Sequence, residues 1–135
     1  MSLLKKLVPA VALACSSFAA PGAYASDHPV VTPLLTKPLP EFPGKEVLMI
    51  TVEFPPGGAD PVHRHDAHGF IYVLEGSIVM QVKGGKEVTL KPGQTFYEGP
   101  NDIHTVGRNA SNTQPAKFLV LLVKDQSKPV LTVVE

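Results

Sequence analysis

The sequence of 135 residues contains a single cysteine, Cys15, and has no run of five or more basic residues. One cysteine cannot close a disulfide within the chain, so a folded domain here must be held together by its own hydrophobic core. The lack of a basic cluster argues against nucleic acid or an anionic membrane surface as a partner. Basic and acidic side chains balance at 12 each.

A sustained apolar repeat of 3.6 residues is also missing after the first 25 residues, which argues against a largely helical domain. The chain instead has short segments rich in β-branched and aromatic residues, divided by turns that contain Gly and Pro. Strands are predicted at residues 46–54, 69–75, 77–83, 87–91, 95–98, 104–108, 117–124 and 130–134. Short, closely spaced strands predict an all-β sandwich or barrel, and their periodicity does not choose between the two.

Residues 1–25 have the three-part layout of a secretory signal peptide. Lys5 and Lys6 form a basic start, residues 7–20 are mostly apolar, and residues 23–25 (Ala-Tyr-Ala) give the small-x-small pattern of a cleavage site. The apolar run is too short to span a bilayer as a stable anchor. This layout predicts an exported protein, either periplasmic or secreted, that has no membrane association after cleavage.

Two processing routes are open for this leader. Cleavage after Ala25 would release residues 26–135, which contain no cysteine. Cleavage before a lipidated Cys15 is the alternative, although the residues ahead of Cys15 match the lipoprotein pattern poorly. We expect the first route.

A Pro-rich segment at residues 26–44 precedes the predicted barrel domain at residues 45–135. Proline cannot donate a hydrogen bond to a helix or to an interior strand ladder, so the segment is predicted to be an extended arm or a set of edge pieces. Its apolar side chains indicate that the segment packs against other residues and is not a free tail. They are Val30, Val31, Leu34, Leu35, Leu39 and Phe42.

Three of the 5 histidines lie close together, at His63, His65 and His68. Residues two apart on a strand share a face, so His63 and His65 can converge on one point. Imidazole is a common ligand of Zn, Fe, Cu and Ni. His68 would reach the same face only through a bulge, which Gly69 would permit. The alternative interpretation is a polar loop that happens to be rich in histidine.

Two longer motifs frame these histidines. Residues 57–76 read Gly, five residues, His-x-His, and later Phe-Ile-Tyr-Val-Leu-Glu-Gly, and this segment resembles the first cupin motif. Residues 92–104 begin Pro-Gly-Gln-Thr and end at His104, and they resemble the second motif. The resemblance extends over roughly residues 46–124.

The resemblance implies an all-β fold, a single jelly-roll (cupin) β-barrel with the Pro-rich arm ahead of it. It also implies one divalent transition metal (Fe, Zn, Cu, Ni or Mn) in the mouth of the barrel, bound by His63, His65 and His104. Resemblance to three-histidine oxygenases points to Fe, whereas intrinsic affinity outside the cytoplasm favours Cu and Zn. The metal identity therefore stays open.

One departure from the family pattern affects the ligand set. Members usually carry a glutamate four residues after the second histidine, and this chain has Gly69 there. The site is then either a three-histidine face with open positions, as in gentisate-cleaving and thiol-oxidising cupins, or it gains His68 as a fourth ligand. Glu98 is a further candidate, as a ligand or as a general base. A solvated strand end is the alternative interpretation of Glu98.

The resemblance predicts a metal-dependent, oxygenase-like enzyme that acts on a small soluble organic molecule. Two alternatives remain: a non-catalytic module that binds or senses a small ligand or metal, and a metal-dependent isomerase or hydrolase of a sugar-like compound. Because cupins commonly pair through their sheets, we expect a homodimer in which residues 29–43 reach towards the neighbour. No residue reads a specific chemical group, so the substrate is not predicted.

Overall fold

The structure, a computed structural model, describes residues 27–135. The predicted signal peptide, with its cleavage site and Cys15, lies outside the described residues. Residues 27–135 contain β-strands and no helix, and hence no helix long and apolar enough to cross a membrane. The strands are β1 (Val30–Pro38), β2 (Lys45–Phe54), β3 (His63–Arg64), β4 (Ala67–Glu75), β5 (Ile78–Val82), β6 (Val88–Leu90), β7 (Thr95–Glu98), β8 (His104–Asn109), β9 (Ala116–Asp125) and β10 (Thr132–Val133).

The strands form two five-stranded antiparallel sheets that face each other. The first sheet has the order β1-β2-β9-β4-β7, and the second has the order β10-β3-β8-β5-β6. Neighbours in each sheet are mostly far apart in sequence, as β2 and β9 are, which is the connectivity expected of a jelly roll. The predicted all-β jelly-roll barrel is confirmed.

Alternation of side chains along the strands builds the core. In β9 every second residue from Ala116 to Lys124 is buried, and β4 alternates in the same way from Ala67 to Val73. Both strands are central in the first sheet, so one face of each packs against the second sheet. The buried core consists of Leu48, Ile50, Val52, Phe54, Ala67, Ile71, Val73, Ile78, Met80, Leu90, Ala116, Phe118, Val120 and Leu122.

The Pro-rich segment contributes β1, which lies at the edge of the first sheet and pairs along its length with β2. Every residue of β1 is exposed. Its register shifts between Pro33 and Leu35, where proline cannot donate to the ladder. The edge position explains how a segment with several prolines can still form a strand.

Candidate metal centre

Strand pairing in the second sheet brings two histidines together, and a third follows just after β3. His63 in β3 is the direct cross-strand partner of His104, the first residue of β8, and His65 follows two residues after His63. The ring centroid of His63 lies 4.7 Å from that of His65 and 4.9 Å from that of His104. One ligand atom from each residue lies within 4.8 Å of the others. The structure therefore brings together the three histidines that the sequence motifs single out.

Backbone carbonyls orient two of the three rings. The Nδ1 of His63 donates to the carbonyl oxygen of Pro61 at 2.7 Å, and the Nδ1 of His65 donates to that of Val130. With the proton on Nδ1, the Nε2 of a neutral ring carries the free lone pair. The two Nε2 atoms are 3.1 Å apart. A histidine that binds a metal usually has its other nitrogen held in this way.

His104 supplies the test of whether a metal fits. Its side chain is buried, and neither ring nitrogen makes a hydrogen bond to any residue in the described part of the chain. A buried polar atom without a partner costs about 1–3 kcal/mol. A metal ion would bind the lone pair of the unprotonated ring nitrogen, and three imidazoles suit a divalent transition metal. The donor set therefore fits the metal that the motifs imply.

Glu98 joins the three histidines from the opposite sheet. It is the last residue of β7 and is 3% exposed, so the interpretation of Glu98 as a solvated strand end is wrong. Its Oε1 lies 3.2 Å from the Nε2 of His65, and its Oε2 lies 3.4 Å from the Nδ1 of His104. The site thus combines His63 and His104 of the second sheet, and His65 in the link after β3, with one carboxylate from the first sheet.

Burial and close contact shift the protonation equilibria in opposite directions. Burial is the largest influence on His63 and His104, and it lowers the pKa of both rings below 6.5, so both are neutral near pH 7. Burial also opposes ionisation of His65 and Glu98, but their mutual contact outweighs it. The pKa of His65 is raised above 6.5, and the pKa of Glu98 is lowered below 4.5. Their contact therefore favours a protonated His65 beside an ionised Glu98 in the metal-free protein.

His68 is not brought into this group. Burial alternates regularly at the start of β4, so His68 is exposed while its neighbours Ala67 and Gly69 face inward. The Nδ1 of His68 lies 2.7 Å from the hydroxyl of Tyr97, and the two rings stack. The register irregularity of β4 falls between Val73 and Glu75 and not at Gly69. The bulge that would turn His68 inward is therefore not present.

Asp60 is a site residue that the sequence reasoning missed. It is half-buried and lines the same cavity as the three histidines and Glu98, a space of about 40 Å³ whose remaining walls are apolar. That volume admits on the order of one to three water-sized groups. Burial raises the pKa of Asp60 from 3.8 to about 6. A lone aspartate in a Gly- and Pro-rich loop carried no motif that could have identified it.

The raised pKa of Asp60 predicts a pH-dependent stability of the metal-free protein. A folded-state pKa above the unfolded value means that ionisation destabilises the folded state, so stability is lost as pH rises from about 4 to about 6 and then stays level. We expect Asp60→Asn to raise the free energy of unfolding by about 1–3 kcal/mol at pH 7.5. The gain should vanish near pH 4.

Urea unfolding with a chelator present, at several pH values, measures this effect. Asp27→Asn, a substitution of an exposed aspartate, is the matched control. Parallel stability profiles for the wild type and Asp60→Asn would contradict the prediction.

Comparison with known proteins identifies relatives of the chain. The profile of the family described as "Cupin domain" matches residues 50–122, which is more than half of the chain. No curated protein matches by sequence. Similar solved structures include a cupin 2 domain-containing protein from Halorhodospira halophila, with a TM-score of 0.63 and 20% identity, covering 84% of this chain and 75% of that one.

Two structures of named enzymes are also similar. Oxalate oxidase in complex with glycolate has a TM-score of 0.60 and 24% identity, covering 82% of this chain and 57% of that one. DMSP lyase DddQ from Ruegeria pomeroyi DSS-3 has a TM-score of 0.57 and 22% identity over 65% of this chain. The match covers only 43% of the lyase. At these identities the likeness concerns the fold.

Proposed function

Because the chain belongs to the Cupin domain family, we propose that it is an exported, metal-dependent enzyme of the oxygenase type that acts on a small organic molecule. The observation that carries the proposal is the group of His63, His65 and His104, whose buried nitrogens converge in one cavity beside a carboxylate. Export rests on the layout of residues 1–25. A fold alone does not determine a function, so the site must support the activity.

The chemistry of the site suits this proposal. A divalent transition metal held by the three imidazoles would supply a Lewis acid and a template for substrate. Asp60 lines the same cavity, and its carboxyl group, with a pKa raised to about 6, would take up or release a proton. The remaining walls of the cavity, which include Ile71 and Met80, are apolar.

The small volume of the cavity bears on the substrate class. About 40 Å³ admits a group of a few atoms, so only a very small molecule, or one end of a larger one, would reach the centre without rearrangement of the barrel. Oxalate oxidase, one of the similar structures, is seen with the two-carbon acid glycolate. Small carboxylic acids are therefore the first substrates to test.

Oxygen uptake tests the proposal. The purified protein would be loaded separately with Fe²⁺, Mn²⁺, Cu²⁺ and Zn²⁺ and mixed with a panel of small carboxylic acids, phenols and thiols in an oxygen electrode. Substrate-dependent oxygen consumption that is absent in His104→Ala would support the proposal. Product formation without oxygen consumption would favour an isomerase or hydrolase and overturn the oxygenase assignment.

A second candidate is a non-catalytic module that binds or senses the metal itself. The observation in its favour is the same small cavity, which has room for an ion and little else. This candidate predicts specific metal binding, with no turnover of any compound in the panel. Turnover of one compound would exclude it.

For partners, we propose a homodimer that pairs through the outer face of the first sheet. Phe70, Tyr72 and Tyr97 are each about half exposed there and surround a shallow groove over Leu119 and Leu121. Contiguous exposed apolar surface of this kind commonly marks an interface.

This proposal predicts twice the chain mass in light scattering after size exclusion. Phe70→Glu should shift the protein to a monomer because it places a charge within the apolar contact. Val88→Glu makes the same kind of change on the second sheet and should leave the dimer intact. A monomeric wild type at micromolar concentration would refute the dimer.

A further inference from the structure

The residue opposite Glu98 has no side chain, and that absence has a spatial reason. Gly69 in β4 is the direct cross-strand partner of Glu98 in β7. A Cβ added at Gly69 would lie 2.9 Å from the Cγ of Glu98 and 3.2 Å from its Oε1. Gly69 does not have a positive φ, so its backbone does not require glycine. Glycine at position 69 therefore leaves room for the Glu98 side chain of β7 to extend over β4.

The carboxylate that uses this room is directed at the histidines. Both oxygens of Glu98 approach a ring nitrogen, Oε1 that of His65 at 3.2 Å and Oε2 that of His104 at 3.4 Å. No Lys or Arg side chain pairs with Glu98 in the described part of the chain. Burying a carboxylate away from a fixed cation is costly unless a positive group is supplied at that point. The imidazoles of His65 and His104 beside Glu98 carry a charge only when protonated, whereas a divalent ion among the histidines would supply a fixed positive charge.

We propose that Glu98 is a fourth ligand of the metal held by His63, His65 and His104, and that Gly69 makes the space through which it reaches the metal. The inference deepens the proposed function and rests on it, because it concerns the same centre. The ligand set would then be three neutral nitrogens and one carboxylate oxygen, contributed by both sheets. Such a centre would tie the two sheets of the barrel together, so metal binding would also stabilise the fold.

The first test compares metal affinity without reference to any enzymatic activity. Glu98→Gln keeps the size of the side chain and removes its charge. We expect the dissociation constant for Co²⁺, measured by calorimetry on the purified protein, to rise by more than about 100-fold while the stoichiometry stays at one. Loss of a residue that only supports a ligand weakens binding by about 10- to 100-fold. The visible spectrum of bound Co²⁺ should change, because the ligand set changes. Glu41→Gln, an exposed glutamate, is the matched control and should match the wild type.

The second test moves the carboxylate to the other strand. Gly69→Ala should weaken Co²⁺ binding about 10-fold, because the methyl group displaces the Glu98 side chain. The double variant Gly69→Glu with Glu98→Gly exchanges the two partners across the ladder. It should bind Co²⁺ more tightly than Glu98→Gln, since it restores a carboxylate to the site. Recovery in the double variant also guards against the case in which Gly69→Ala fails to fold.

The outcomes separate the two proposals. If the wild type binds Co²⁺ and Glu98→Gln binds it equally tightly with an unchanged spectrum, Glu98 is not a ligand and only this inference falls. If the wild type binds neither Co²⁺, Zn²⁺ nor Fe²⁺, the proposed metal-dependent function falls, and the inference falls with it. Weaker binding in Glu98→Gln, restored in the double variant, would support the inference.

Discussion

Changing His104 to Ala should reduce the metal content of the purified protein from about one equivalent to below about one tenth. His104 provides one of three imidazoles, and its nitrogens have no hydrogen-bond partner in the described part of the chain that would compete with a metal. Loss of one of so few ligands should weaken binding by at least about 100-fold, or ~2.7 kcal/mol. Metal analysis after purification without chelators, followed by titration of the stripped protein, measures both quantities.

The chain contains a suitable control for this experiment. His68 is as close to the motif as the other histidines, but it is exposed and contacts Tyr97. His68→Ala should therefore retain the full metal content and affinity. Loss of metal in His68→Ala would mean that β4 rearranges when the metal binds. Such a rearrangement is needed for His68 to act as a fourth histidine ligand. Full metal content in His104→Ala would contradict the assignment of the centre.

Much of the fold could be predicted from local sequence because the strands carry strong local signals. The strand predicted at residues 95–98 coincides with β7, and the one predicted at residues 104–108 is one residue shorter than β8. β3 was missed because it has only two residues, and its pairing with β8 and β10 depends on partners far along the chain. β1 was predicted as an extended arm or a set of edge pieces, and the structure has it as one strand at the sheet edge, where proline is tolerated.

Some residues of the candidate site could be selected from local sequence, and others could not. Strand parity placed His63 and His65 on one face, and the second motif added His104, so these residues could be selected from the sequence. Glu98 could be named as a candidate, but its burial beside the histidines could not be predicted, because it depends on which strand lies beside β7 and on the space left by Gly69. Cross-strand neighbours are set by topology, which local pattern does not encode. A departure from a family pattern at one position, such as glycine for glutamate, is a reason to search the neighbouring strands for the missing group.

Phe54→Ala should be among the most destabilising single substitutions in the barrel, costing about 3–5 kcal/mol of the free energy of unfolding. Phe54 ends β2, is fully buried, and packs its ring 5.1 Å from that of Phe118 on β9. The only cysteine lies in the predicted leader, so no disulfide offsets the loss, and small domains have only about 5–15 kcal/mol in total. Urea unfolding should show a lower midpoint with an unchanged slope.

Phe42→Ala is the matched control for Phe54→Ala, because it removes the same side chain from a position that is 63% exposed. We expect Phe42→Ala to change the free energy of unfolding by less than about 0.5 kcal/mol. Phe54 does not line the metal cavity, so folded Phe54→Ala should keep the metal affinity of the wild type. A free metal concentration of 100 times the dissociation constant should then raise the free energy of unfolding of Phe54→Ala and of the wild type by the same amount, about 2.7 kcal/mol. If Phe54→Ala lowers the free energy of unfolding as little as Phe42→Ala does, the core between the sheets is not packed as described. If Phe54→Ala binds metal more weakly than the wild type, core packing and metal binding are coupled.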